Sequence, residues 1–484
     1  MRASPWRVTQ MMITMSVRAA RSAVREKRWR NFMRLRWIAL SLPIVTVVAA
    51  AAILRGGGAG TESAPAESVT ERQIWQSDGY GYTFEISGDS VDMYSSTRDS
   101  LVPFGKGHID SDGSMYVDEI LAATHGAQRF WLGRFVDGVM TDHLGYAKNF
   151  HRLDRLPVAK YDGFTEDPVQ NFEVFWQTYE ENFSFFPVIN VDWRSVYREY
   201  RPKVSTGTTG RELQEIFRAM IRRLNDGHSN LFSGDDVFSS HSEGPREAFF
   251  QTSRDAIAGN VVDRYIEGGL TTKLDGRVQY GRTISGEGYI RLLEFDVSDP
   301  EEVDQALADM VRDLERCQTF IVDLRFNRGG EDFFGTKVAG LFTDERRIAY
   351  RKQVRTGSYD EFSEPVSIYM EPAAKRFITD RVVILTSPLT VSAGETATLA
   401  LKELDQAVTI GETTAGYFSD MLLKSLPNRQ LFSLSNERYT SVGGVNFEHL
   451  GLPPDEQITI TQADVGALRD PVMDRALELS KQMP

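Results

Sequence analysis

RVVILTSPLTVSAGETATLALKELDQ (residues 381–406) reads as a strand, a turn and a helix, and it sets the fold class of the chain around it. Val382–Leu385 are a short apolar run rich in β-branched residues. Ser387, Pro388 and Thr390 interrupt that run. Ala397, Leu399, Ala400, Leu401 and Leu404 then recur at helical spacing. Ser392 stands at the joint. It suits an N-cap, with Glu395 three residues on completing a capping box. It can also be a nucleophile whose oxyanion would form against free backbone N–H groups at a helix start, although on this stretch alone the cap is the favoured reading. The stretch alone leaves both roles open.

Outward from this unit, strands and helices alternate over 232–484. GEGYIRLLEF is a strand, PEEVDQALADMVRDLERC an amphipathic helix, and TFIVDLR a buried strand. The loop FNRGGED and a helix beginning near Phe333 follow. AVTIGE and LFSLSNERYTS are further strands, and PVMDRALELSKQ closes the chain as a helix. This order predicts an α/β core with a mostly parallel sheet. Residues 165–231 change period. VQNFEVFWQTYEENFSFF, VDWRSVYREYRPKV and GRELQEIFRAMIRRLNDG predict a three-helix subdomain. Residues 75–160 carry short strand-like runs such as YTFEISG and RFWLGRF separated by Asp, Gly and Ser, which predict a small antiparallel β domain.

Charge divides the chain. Residues 1–60 hold 11 Lys/Arg and one acid, whereas the whole protein carries −13. The body is therefore acidic, which argues against nucleic acid as partner. Residues 37–54, WIALSLPIVTVVAAAAIL, are 18 residues without a charge. They are long enough to cross a bilayer. The basic segment 1–36 ahead of them places the N-terminus in the cytoplasm and the body outside it. A retained membrane anchor is expected, with a cleaved signal peptide starting at Met33 as the alternative. Residues 55–74 form a flexible linker. The single cysteine, Cys317, reads as a buried thiol.

Three sites outside 381–406 have the composition of catalytic partners. His228 lies in the tight turn Asn225-Asp226-Gly227-His228, where helices meet the α/β core. It is the favoured base, and a helix-end histidine is its structural alternative. Gly329 and Gly330 follow a buried strand at the sheet edge where ligands sit in open α/β folds. No Gly-Lys-Ser/Thr follows them, which excludes a phosphate loop. Glu448 lies in NFEHLGLPPD and suits the orientation of a base, with His449 beside it as a competing base. The other histidines share no metal-ligand spacing.

The ordered motifs DGHS (226–229), DLRFNRGG (323–330), TVSAGE (390–395), GETTAG (411–416) and NFEHLGLPPD (446–455) resemble the C-terminal-processing, or tail-specific, serine peptidase superfamily. The resemblance covers residues 165–484. It implies a helical subdomain on an α/β core and peptide-bond hydrolysis through Ser392. Ala393 N–H and a glycine N–H, Gly329 with Gly330 beside it, are the implied oxyanion donors. No metal or cofactor is implied. The processing peptidases pair their serine with a lysine, but the matching position here is Tyr417, and Lys402 and Lys424 do not match. No peptide-binding PDZ pattern lies between His228 and Gly286. Both departures resemble the core of the tricorn protease, where the base is a histidine and a glutamate lies late in the chain. His228 and Glu448 match those positions. That branch has a serine before its histidine where this chain has Gly227, with Ser229 on the other side. The implied function is a membrane-tethered serine peptidase acting on proteins or peptides. The alternative is a catalytically inactive ligand-binding or scaffold protein on the same fold, similar to the retinoid-binding relatives.

Overall fold

Thr319–Asp323 and Arg381–Thr386 lie side by side, parallel, in the middle of a seven-stranded sheet. Their apolar runs are continuous because both faces of the sheet are covered. Phe320, Val322, Val382 and Ile384 face one core, which includes Val303 and Met310 of the helix Pro300–Leu314. Ile321, Val383 and Leu385 face another, filled by Phe250, Ile257 and Val261 of the helix Pro245–Tyr265 and by Val472 and Met473 of Pro471–Leu479. Alternation at period two sends successive residues to opposite layers.

The sheet runs Ile266–Lys273, Val278–Thr283, Gly288–Leu292, Thr319–Asp323, Arg381–Thr386, Ala407–Gly411, Glu456–Gln457. The first three strands are antiparallel to one another and the rest are parallel. The α/β core expected from strand–helix alternation is thus present. One predicted element divides. LFSLSNERYTS is two strands, Leu431–Ser435 and Glu437–Thr440, which belong to different sheets. The ladder breaks at Asn436, after which the N–H of Glu437 turns to the Ser419 hydroxyl (3.1 Å).

The computed structural model describes residues 72–121, 130–234 and 236–482. Among these residues no helix is long and apolar enough to cross a membrane. The expected anchor at 37–54, the basic segment before it and residues 55–71 of the linker lie outside the described residues.

The N-terminal antiparallel region is a closed barrel of eight strands between Gln73 and Leu153. Closure joins the first strand, Gln73–Ser77, to both Tyr82–Ser87 and Ala147–Leu153, so no edge is left unpaired. Its apolar interior includes Phe84, Met93, Phe104 and Phe150, and Phe232, Leu423 and Leu431 of the core's four-stranded sheet join the same cluster. Lys424 fixes the docking. Its buried Nζ donates to the carbonyls of Tyr80 (2.5 Å) and Gly81 (2.6 Å) in the barrel. The helices Pro168–Asn182, Trp193–Tyr200 and Gly210–Ile221 follow the barrel. Phe172, Phe175, Trp193 and Phe217 knit them together and to Phe432 of the four-stranded sheet.

Candidate active site

The turn after Arg381–Thr386 is pinned to the neighbouring strand's loop. The Thr390 hydroxyl donates to the Leu324 carbonyl (2.8 Å) and Val391 N–H to the Asn327 carbonyl (3.1 Å). The chain then enters the helix Ala393–Lys402 through Ser392, whose φ is 57° and ψ −126°. A side chain rarely takes that conformation, and its cost is about 1–3 kcal/mol. Strand, strained serine and helix follow the pattern of a nucleophile elbow.

Glu395 holds the strained turn. One carboxylate oxygen accepts from Ser392 N–H (3.2 Å) and Tyr417 N–H (2.8 Å). The other accepts from the Thr414 hydroxyl (2.5 Å) and Gly416 N–H (2.7 Å). The capping glutamate therefore also fastens the GETTAG loop beneath the serine. Burial pushes its carboxyl up to about 7 against the pull of these hydrogen bonds.

Gly329 lies against Ser392 with φ 86°. A Cβ there would stand 2.7 Å from Ser392 Cβ, closer than side chains pack, and 3.2 Å from its Oγ. Its N–H, expected from the sequence to be an oxyanion donor, instead donates to Asn327 Oδ1 (2.9 Å). Gly330 N–H and Ala393 N–H have no backbone acceptor among the described residues. Ala393 is the first residue of its helix, where N–H groups are orphaned.

Ser392, His228, Gly329 and Gly330 line one cavity of about 320 Å³. No hydrogen bond joins Ser392 to His228 among the described residues. His228 is buried, and its Nδ1 has no hydrogen-bond partner. Burial lowers the imidazole pKa, the Asp226 and Asp420 carboxylates push it back up, and His449 lowers it. Asp226 is itself held by the hydroxyls of Ser229 (2.6 Å) and Ser435 (2.9 Å). Ser229 thus supports the turn through Asp226.

Gly227 meets a different constraint. Its Cβ would fall 2.7 Å from the ring of Tyr417, so a serine has no room there. The Tyr417 hydroxyl bonds His241 Nδ1 (2.6 Å), and His241 Nε2 bonds Glu247 (2.6 Å). The two departures noted in the sequence, Gly227 and Tyr417, are therefore one packing pair. Lys402 bonds Thr409 (2.9 Å) and Asp455, and Lys424 bonds the barrel, so neither lines the cavity.

Glu448 is buried behind this wall. One oxygen accepts from Phe418 N–H (2.9 Å) and Ser419 N–H (3.0 Å), while Oε1 has no partner. Burial, then Asp226 and Glu395, hold its carboxyl well above the usual range. His449 Nε2 lies 3.9 Å from Asp226 Oδ1. The donor atoms of Asp226, Glu448 and His449 fall within 4.8 Å of one another, a spacing that a divalent cation would accept.

Sequence reasoning missed the far wall of the cavity. Tyr80, Trp131 and Lys148 come from the barrel, and Lys352, Asp420, Asn436 and Glu437 from the core. Glu331 and Asp332 also line it and had a signal, because they directly follow the Gly329–Gly330 loop. The barrel residues had none, being more than 200 positions from Ser392 in the chain.

Residues 286–458 match peptidase family S41, and residues 164–222 match the tricorn protease C1 domain. His228 falls between the two matches. A carboxyl-terminal-processing protease from Picosynechococcus sp. is 29% identical over 238 residues, 48% of this chain and 51% of that protein. One from Synechocystis sp. is 30% identical over 248 residues, 50% of this chain and 52% of that protein. The chain thus spans about half the length of these curated relatives. A solved structure of a candidate peptidase from Parabacteroides merdae is 25% identical, with a TM-score of 0.57 over 66% of this chain and 98% of its own. The S41 match encloses Gly329, Ser392 and Glu448, and the tricorn-type match precedes it on the helical segment, so these two stretches of the chain are similar to peptidase family S41 and to the tricorn protease C1 domain.

Proposed function

We propose that this protein is a serine peptidase that cleaves peptide bonds of proteins or peptides through an acyl-enzyme on Ser392. The observation that carries the reading is the strained backbone of Ser392 at a helix start, in one cavity with His228 and with Gly329 packed on its side chain. Strain of this kind concentrates where a reactive group must be held out of its relaxed position.

His228 takes the Ser392 hydroxyl proton as the oxygen bonds to the substrate carbonyl carbon. The C–N bond then breaks, and His228 returns the proton to the leaving amine. Water, activated by the same imidazole, hydrolyses the ester and regenerates the serine. Ala393 N–H and the Gly330 N–H hold the oxyanion, and Gly329 gives the carbonyl room to approach. The hydrogen bond from Ser392 to His228 forms in the substrate complex, as such contacts often tighten only then. Glu448 acts through the buried Asp226–His449 group as a positioning residue. The apolar run 37–54 and its basic flank would tether this body on the extracytoplasmic side of a membrane.

Turnover of a quenched, unstructured peptide pool by the full chain tests the reading. The expected result is hydrolysis that Ser392→Ala removes. Equal rates for both proteins would overturn it.

A further inference from the structure

The cavity does not end at the catalytic pair. Its far side is the mouth of the barrel. There the Trp131 ring stacks on His143 (4.0 Å between centroids), and His143 meets Phe333 edge-on (5.2 Å). This row of rings spans from barrel to core, since Phe333 is the second residue of the helix Asp332–Gly340 that follows the Gly329–Gly330 loop.

Carboxylates exceed cations along the same wall. Lys352 is already committed, to Asp420 (3.1 Å) and Glu437 (2.8 Å). Asp332 accepts from the hydroxyls of Tyr439 (2.9 Å) and Thr396 (2.8 Å). Glu331 has no such partner. It is the N-cap residue of Asp332–Gly340, yet its side chain makes no capping bond and, among the described residues, no ion pair. Burial, with Asp420, Asp332, Asp296 and Asp142 around it, pushes its carboxyl up to about 8. A half-buried carboxyl held in this way gains from any cation brought beside it.

A second group is left open in the same cavity. Asn436 is 1% exposed and its Nδ2 has no hydrogen-bond partner. A buried amide donor without an acceptor costs about 1–3 kcal/mol. A peptide carbonyl supplies the missing acceptor. Donor, carboxyl and ring row together describe a peptide with a cationic group close to its scissile bond.

We propose that the barrel mouth, Glu331 and Asn436 form a substrate subsite that selects a cationic group on a peptide. This rests on the peptidase reading, because the subsite is the extension of the Ser392 cavity. The cation lies at Glu331 with its stem along the Trp131–His143–Phe333 row, where ring faces attract cations. Asn436 Nδ2 donates to a backbone carbonyl of the same peptide. The cation is either a lysine or arginine side chain or the free α-amine.

Binding separates this proposal from catalysis. The full chain carrying Ser392→Ala is titrated with fluorescent peptides that are N-acetylated and carry arginine or its neutral isostere citrulline, and with the unblocked citrulline peptide. The arginine peptide is expected to bind about tenfold tighter than the acetylated citrulline peptide, the scale of one partly buried charge pair. A gain of that size from the unblocked α-amine instead assigns the cation to the peptide N-terminus. Glu331→Gln, in the same background, removes the carboxyl that ionises beside a bound cation without breaking a hydrogen bond and is expected to bring the selectivity close to one. Trp131→Leu weakens the arginine peptide more than the citrulline one. Equal affinity for all three peptides, or selectivity that survives Glu331→Gln, overturns the subsite. Loss of hydrolysis in the unmodified chain bears only on the peptidase reading.

Discussion

Ser392 and Gly329 constrain one another. The serine sits at positive φ, and the glycine occupies the space its Cβ leaves. Gly329→Ala drives a methyl into Ser392 Cβ, and something must move by a sizeable fraction of an ångström. Misplacement of that order costs about a hundredfold in turnover. We expect kcat to fall by about that factor while the thermal midpoint changes little, read by steady-state kinetics and calorimetry. His228 gives a pH signature. Only the neutral imidazole accepts the serine proton, and burial lowers the His228 pKa. The base form therefore persists to lower pH, so the acid limb of kcat/KM falls below the ordinary histidine value of about 6.5. A limb above that value contradicts the assignment. Ser392, His228, Gly329 and Gly330, singled out from the sequence motifs, line one cavity in the structure. The unpartnered Nδ1 of His228 and the bond from Gly329 N–H to Asn327 depend on packing, which no motif encodes.

Elements place these residues through contacts that the motifs only partly announce. In DLRFNRGG the glycines face the site, whereas Asp323 and Arg325 are structural. Arg325 is fully buried and donates twice to Asp323 (2.9 and 2.7 Å) and once to Asp470 (2.7 Å) at the cap of the last helix. Tyr289, on the adjacent strand, donates to the same Asp323 (2.7 Å). One cation thus ties the central strand to the C-terminal helix. Arg325→Ala leaves two buried carboxylates without it and should cost about 3–5 kcal/mol in denaturant unfolding. A loss below about 1 kcal/mol would show the triad to be dispensable. Strands and helices near the site were legible because their hydrophobic periods are strong, as in VVILT and TFIVD. The division of LFSLSNERYTS was not, because no Gly or Pro stands at Asn436 to mark where the partner strand changes.

The whole molecule adds what neither residues nor elements reveal: the barrel is a wall of the cavity that Ser392 and His228 line. An antiparallel β region was readable from its short runs and turn residues. Its closure and its docking on the core were not, because both depend on pairings between distant segments. Lys424, which does not match the lysine position of the processing peptidases, is a docking residue. It is fully buried against two barrel carbonyls and over the Tyr82 ring (3.6 Å), and burial holds its amine well below the usual lysine value. Lys424→Met keeps the apolar stem and removes the two hydrogen bonds. It should loosen the barrel, seen as a second, earlier unfolding transition in calorimetry; a single unchanged transition would deny the docking role. The central claim remains chemical. Reaction of the full chain with a fluorophosphonate probe, followed by mass spectrometry of the labelled peptide, tests it most directly. A single adduct on Ser392 is expected, absent in Ser392→Ala and strongly slowed in His228→Ala. No adduct, or one that persists in Ser392→Ala, would contradict it.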